Sequence, residues 1–151
     1  MSHSASSSTF TVGPPLLGAL LRFALESVHG AMLDALHAKG FDDLEPHHLS
    51  VLQYPGPEGL RPSDLAAQLG ISKQSLNYKL RELERLGYLE MGDDPDDLRS
   101  RRIALTERGR AIVPVIRDAV RRTERAWAKG IGEERVEELR SILTDLHHSL
   151  G

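Results

Sequence analysis

The spacing of the apolar residues changes abruptly at Gly87, and this change limits the folds open to the chain. Within 76–86, leucines recur at helical intervals, whereas segments 88–91 and 101–105 place apolar residues at every second position. The stretch 92–100 between them is polar and rich in turn-forming residues. The pattern therefore predicts a helix followed directly by a β-hairpin with a long, looped tip.

Short helices are predicted upstream of this hairpin. One begins near Pro46, and another runs over 62–69 and stops at Gly70. Ser72 is placed to cap the next helix, which continues to Gly87. Two short helices that meet at a tight turn and lead into a hairpin have the layout of a winged helix-turn-helix, whose second helix enters the DNA major groove.

Long amphipathic helices are predicted on both sides of this unit, over 16–40, 106–130 and 133–150. Pro114 is expected to bend the second of them. A helix of roughly 25 residues is more than about 35 Å long, which exceeds what a domain this small covers with its own chain. We therefore expect a second copy of the chain to cover these helices as a homodimer.

The predicted fold is mainly α-helical with a small β-hairpin wing and with terminal helices that form a dimerisation region. Residues 1–13 are expected to be a mobile tail and 14–151 a single subunit. Within that subunit we assign 45–105 to the winged unit, and 14–40 and 106–151 to the dimerisation helices.

Composition narrows the functional classes. The chain has 151 residues and no cysteine, which excludes a disulfide framework, a thiol nucleophile and a cysteine zinc site. The formal net charge is −3, but residues 61–110 carry ten basic against nine acidic side chains. Any attraction for nucleic acid must therefore be local. The apolar helices carry interior charges and no basic leader precedes them, so we expect a cytoplasmic protein without a membrane partner.

Several segments resemble the MarR family of bacterial transcription regulators. Residues 63–72 are similar to the family's helix-turn, and 83–90 to its recognition-helix end and first wing strand. Asp97-Leu98-Arg99, followed by 103–109, is similar to its wing. The resemblance implies an obligate homodimer, a palindromic DNA site, repression as the usual mode and release from DNA by a small ligand. The helix positions that read the operator differ from the family's usual residues, so no operator sequence is carried over.

The predicted recognition helix turns its leucines inward, which leaves a polar face for the groove. Asn and Gln pair with adenine, and Lys and Arg with guanine or phosphate. The predicted DNA contacts on this helix are Lys73, Gln74, Ser75, Asn77, Tyr78 and Arg81. An ordinary solvated helix face is the alternative interpretation.

The predicted wing supplies further cations. Arg99 has a guanidinium suited to a narrow minor groove, and Asp97 is expected to hold that guanidinium as a carboxylate pair. Arg101 and Arg102 alternate sides of a strand, so at most one shares the DNA face, and we assign Arg101. The alternative for Arg99 is a weak surface ion pair.

Seven histidines raise the question of a metal. The adjacent pairs His47-His48 and His147-His148 would point about 100° apart on a helix, so neither pair alone makes a good ligand set and no metal or other cofactor is predicted. His29 and His37 lie eight residues apart on one helix face, where a cavity for a small aromatic or amphipathic effector would use them. Partly buried polar residues are the alternative.

An enzyme is not predicted, because the chain has no GxSxG, GxxxxGK or HExxH motif. The more serious rival is a winged-helix module that mediates protein interactions without sequence-specific DNA binding. The basic set on the recognition helix argues against that rival, and binding to pooled random duplexes separates the two.

Overall fold

The computed structural model describes residues 13–53 and 56–151. The predicted tail, apart from Gly13, lies outside these residues. The helices are α1 Leu17–Ala38, α2 Leu49–Leu52, α3 Pro62–Leu69, α4 Lys73–Arg85, α5 Glu107–Ile131 and α6 Glu133–Leu150, the strands are β1 Leu89–Asp94 and β2 Asp97–Leu105, and a 3₁₀ turn spans Pro46–His48. This is the predicted class, mainly helical with a two-stranded antiparallel wing, as in winged-helix structures.

The turn between α3 and α4 follows from its local sequence. Gly70 ends α3 with φ 65°, a left-handed conformation that glycine adopts without a Cβ penalty. Ser72 caps α4, its side chain accepting a hydrogen bond from the Ser75 amide at 3.1 Å. The helix start is therefore held where the pattern predicted it.

The core of the winged unit lies beneath α4. Leu76, Leu80 and Leu83 of α4 are buried, as the helical spacing predicted. They belong to one cluster with Tyr88 at the wing entrance and Ile103 of β2. Burial of these side chains fixes which face of α4 is left for solvent.

The wing differs from its prediction. β1 and β2 pair from Leu89 with Leu105 out to Asp94 with Asp97, with an irregularity between Asp93 and Asp94. The predicted loop 92–100 is therefore mostly strand, and the prediction of a long looped tip is wrong. A two-stranded ribbon in solvent needs no apolar alternation, because backbone pairing and buried ion pairs hold it, so its polar residues gave no strand signal.

The long helices lie as predicted along the chain. α1 packs against α5, and α5 packs against α6. α5 continues through Pro114, so the expected bend stays a prediction. In α6 only Val136 is buried. No helix in the described part of the chain is long and apolar enough to cross a membrane.

Candidate DNA-binding surface

The outer face of α4 is polar and points away from the buried leucines. Tyr78 is 58% exposed, although it is aromatic. The six predicted contacts on this helix are all exposed, namely Lys73, Gln74, Ser75, Asn77, Tyr78 and Arg81. The structure therefore brings them together on one rigid helix, as the leucine spacing required.

A second flank of α4 faces the rest of the winged unit. Lys79 donates from Nζ to Ser50 Oγ at 3.1 Å. Glu82 lies with Oε2 2.6 Å from His47 Nε2, and the hydrogen bond with His47 is the main influence that lowers the pKa of Glu82. These side chains hold α4 against α2 and the preceding 3₁₀ turn.

A buried carboxylate anchors the wing. Asp94 is fully buried and accepts hydrogen bonds from Arg61 Nε at 2.7 Å and Arg102 Nε at 3.0 Å. The Asp96 amide also donates to it at 3.0 Å. That amide first, and then the two guanidinium groups, hold the pKa of Asp94 below its usual value against the opposing effect of burial. The Arg102 guanidinium is therefore already paired with Asp94, whereas Arg101 is exposed.

Asp97 orders the wing tip in a way that the sequence did not predict. Its Oδ1 accepts a hydrogen bond from the Arg99 backbone amide at 3.0 Å, and its Oδ2 one from Ser100 Oγ at 3.2 Å. The expected pair with the Arg99 guanidinium is not among the ion pairs of residues 13–53 and 56–151. Both carboxylate oxygens serve the local turn instead, which leaves the Arg99 guanidinium exposed.

The cations of this region fall into two groups. Arg61, Arg102 and Arg108 pair with carboxylates. A second group is exposed and lies within ion-pairing distance of no carboxylate in the described residues: Lys73, Arg81, Arg99 and Arg101. An anionic partner would meet the second group without first breaking an ion pair.

A network that the sequence did not predict joins the winged unit to α5. Tyr88 donates to Asp43 Oδ1 at 2.5 Å, and Arg108 NH1 donates to Asp43 Oδ2 at 3.0 Å. Burial opposes ionisation of Asp43, but the bonds from Tyr88 and Arg108 outweigh it and lower the pKa of Asp43. Asp43 and Arg108 are 65 positions apart, so no local pattern could have revealed the pair.

A cavity of about 850 Å³ lies between α1, the end of α2 and α5. Its lining includes the apolar Met32 and Ile116 and the cationic Arg117 and Arg121. The two histidines expected at such a cavity are not among its lining residues. His29 Nε2 lies 3.3 Å from Oε1 of Gln53, which does line it, and His37 Nε2 lies 2.9 Å from the Leu44 carbonyl oxygen.

Comparison with known proteins agrees with this geometry. Residues 42–100, which cover α2 to the wing, match the family model described as MarR family. A transcriptional regulator of the MarR family from Rhodococcus sp. RHA1 is 28% identical, with 87% of this chain and 91% of that chain covered and a TM-score of 0.67.

Two further structures carry ligands. CouR from Rhodococcus jostii RHA1 bound to p-coumaroyl-CoA is also 28% identical, with 87% and 91% covered and a TM-score of 0.67. The transcriptional repressor CouR bound to a 23-mer DNA duplex is 27% identical, with 87% and 92% covered and a TM-score of 0.65. The winged fold, the family model over residues 42–100 and these neighbours agree, and the chain is similar in sequence and in fold to the MarR family of winged helix-turn-helix transcription regulators.

Proposed function

We propose that the protein is a repressor that binds a palindromic DNA operator as a homodimer and is released by a small amphipathic molecule. The observation that carries this proposal is the set of exposed side chains on α4 and the wing, whose cations have no carboxylate partner in the described residues. The repressor CouR, whose structure holds a DNA duplex, supports the same use of this fold.

The two elements have different tasks in this proposal. Gln74 and Asn77 read base edges in the major groove, while Lys73 and Arg81 contact guanine or phosphate. Arg99 reaches a minor groove, which reports mainly width and A·T content. Arg101 adds a phosphate contact beside it.

Exposed apolar side chains on α1 and α6 support the homodimer. Leu20 is 47% exposed and Ile142 is 55% exposed, and both lie on apolar faces of long helices. Other exposed apolar side chains are Leu16, just before α1, Leu17, Leu21, Phe23 and Leu25 on α1, and Leu139, Leu143, Leu146 and Leu150 on α6. So much apolar surface is unusual on a soluble monomer, so we assign 14–40 and 106–151 to dimerisation and 45–105 to DNA binding.

The cavity beside α5 supports the effector. Its lining combines apolar side chains with four arginines against two glutamates, and it lies between the proposed dimerisation helices and the winged unit. An amphipathic anion fits this lining, and CouR, one of the similar structures, binds p-coumaroyl-CoA. A ligand there that favours one separation of the two recognition helices would change DNA affinity by coupling, typically by about 1–3 kcal/mol.

Asn77→Ala and Arg99→Ala are expected to weaken DNA binding in different ways. Asn77→Ala should cost about 1–3 kcal/mol on the preferred operator and relax the preference at one base position per half-site. Arg99→Ala should weaken binding to many sequences together and lower the salt dependence by about one unit per lost phosphate contact. The measurement is a titration on operator and scrambled duplexes at several salt concentrations, after selection of bound sequences from random DNA.

Lys129→Ala is the control for Arg99→Ala. It removes the same charge near the end of α5, outside the winged unit, so it should leave both the DNA affinity and its salt dependence unchanged. The selected operator should hold half-sites about 10 base pairs apart, since the dimer carries two recognition helices. Selection without any recovered consensus would favour the protein-interaction module instead.

An anionic aromatic thioester or carboxylate is expected to bind the cavity and reduce DNA affinity. With p-coumaroyl-CoA and simple phenolic acids as probes, a ligand at a hundred times its Kd raises the free energy of unfolding by about 2.7 kcal/mol. Arg121→Ala should weaken this effect, because Arg121 lines the cavity. Arg122→Ala removes the same charge next in the chain but is not a lining residue, and it should behave as wild type. Equal loss in both variants would contradict the site.

A further inference from the structure

Two histidines and a carboxylate meet behind the recognition helix. His47 and His48 belong to the 3₁₀ turn before α2, and Glu82 belongs to α4. Glu82 Oε2 lies 2.6 Å from His47 Nε2 and 3.3 Å from His48 Nε2. One ligand atom from each residue falls within 4.8 Å of the others. The third member lies 35 positions from His47, so the sequence pattern of adjacent histidines could not show it.

One atom of this cluster is unsatisfied. His48 is 1% exposed, and its Nε2 has no hydrogen-bond partner among the described residues. A buried polar atom without a partner is uncommon in folded proteins. This nitrogen faces Glu82 Oε2 at 3.3 Å, so an ion placed between the two residues would give it a partner once its proton has moved.

We propose that His47, His48 and Glu82 form a site for a divalent transition-metal ion of the zinc type. Imidazole nitrogen and carboxylate oxygen are ligands that zinc accepts, and three protein ligands leave a fourth position for water. Ligands at about 2.0–2.1 Å from a tetrahedral ion lie roughly 3.4 Å from one another. The His48–Glu82 spacing of 3.3 Å already matches this value, and the His47–Glu82 spacing of 2.6 Å must open slightly.

Protons must move when the ion binds. His47 Nδ1 lies 3.4 Å from Glu45 Oε2, so the ring can carry its proton on Nδ1 beside a carboxylate while Nε2 binds the ion. Metal-ligating histidines commonly have such a partner. His48 Nδ1 accepts a hydrogen bond from the Glu45 amide at 3.0 Å, so its neutral ring holds the proton on Nε2. Metal binding transfers that proton to Nδ1, where it faces the N–H of Glu45. This hydrogen bond is therefore lost, and the turn must relieve the contact between the two donors, which lowers the metal affinity.

The ion would link the 3₁₀ turn before α2 to α4. Glu82 lies next to the proposed DNA contact Arg81, and Lys79 already joins the same flank of α4 to Ser50. The bound metal should therefore stabilise the packing of α4 against α2 and the 3₁₀ turn. This inference does not depend on which DNA sequence the protein binds.

The test is a titration of the full-length, tag-free protein with Co²⁺, followed by visible absorption, and with Zn²⁺, followed by competition and by the melting temperature. Wild type should bind one equivalent per chain, and Zn²⁺ should raise the melting temperature. His47→Gln and Glu82→Gln should each weaken binding by about tenfold or more. Both side chains are partly exposed, at 36% and 21%, so these variants should fold, which circular dichroism verifies.

The double variant His147→Gln/His148→Gln is the matched control. These histidines form the other adjacent pair, on α6, with ring centroids 6.0 Å apart. Their replacement should leave one equivalent of metal bound. The proposal is overturned if wild type does not bind, if His47→Gln and Glu82→Gln bind as wild type does, or if the control variant loses the metal. None of these outcomes bears on DNA binding, which is measured separately.

Discussion

Gly109→Ala is expected to lower the free energy of unfolding by about 3 kcal/mol. Gly109 lies in the first turn of α5, where an added Cβ would fall 1.9 Å from the Tyr88 carbonyl oxygen and 3.3 Å from Leu105 Cδ2. The Tyr88 carbonyl also accepts a hydrogen bond from the Thr106 amide at 3.1 Å, so it cannot move away without losing the cap region of α5. Urea unfolding followed by circular dichroism measures the change.

Gly130→Ala is the control in the same helix. No atom lies within 4 Å of its added Cβ, and alanine is the better helix former, so stability should rise by up to about 1 kcal/mol. Equal stability of the Gly109 and Gly130 variants would contradict the close contact of α5 with the wing entrance. The comparison separates backbone packing from helix propensity, because both substitutions favour the helix.

Leu139→Asp is expected to break the dimer, with a cost of several kcal/mol if the side chain is buried between subunits. Leu139 is 37% exposed in the single chain and lies on the apolar face of α6. An isolated subunit would tolerate the charge, so loss of association is a specific sign of the dimer. Sedimentation at micromolar concentration should give a dimer for wild type and a species of 16.7 kDa for the variant.

Ser141→Asp adds the same charge to the opposite, exposed face of α6 and should leave the dimer intact. A wild-type protein that sediments as a monomer would contradict the dimer directly. Dissociation of both variants would show instead that added negative charge, rather than loss of the apolar contact, separates the subunits.

Helix α4 could be predicted in detail because its signals are local. Ser72 caps the first turn, and the leucines at 76, 80 and 83 share one face, so the exposed face follows from helix geometry alone. The wing could be predicted only as a hairpin. Its outer residues are mostly polar on both faces, and the buried Asp94 is paired with Arg61, 33 positions away, as well as with Arg102 of the same hairpin.

Helix positions, caps and the order of elements were therefore already present in the amino-acid sequence, since they depend on residues within a few positions of one another. The tertiary structure decided which charges remain free for a partner. Arg61 reaches Asp94 across 33 positions, Glu82 meets His47 across 35, and Arg108 reaches Asp43 across 65. A charged side chain takes the partner that folding brings within hydrogen-bond distance, and that distance is set by the packing of elements far apart in the sequence.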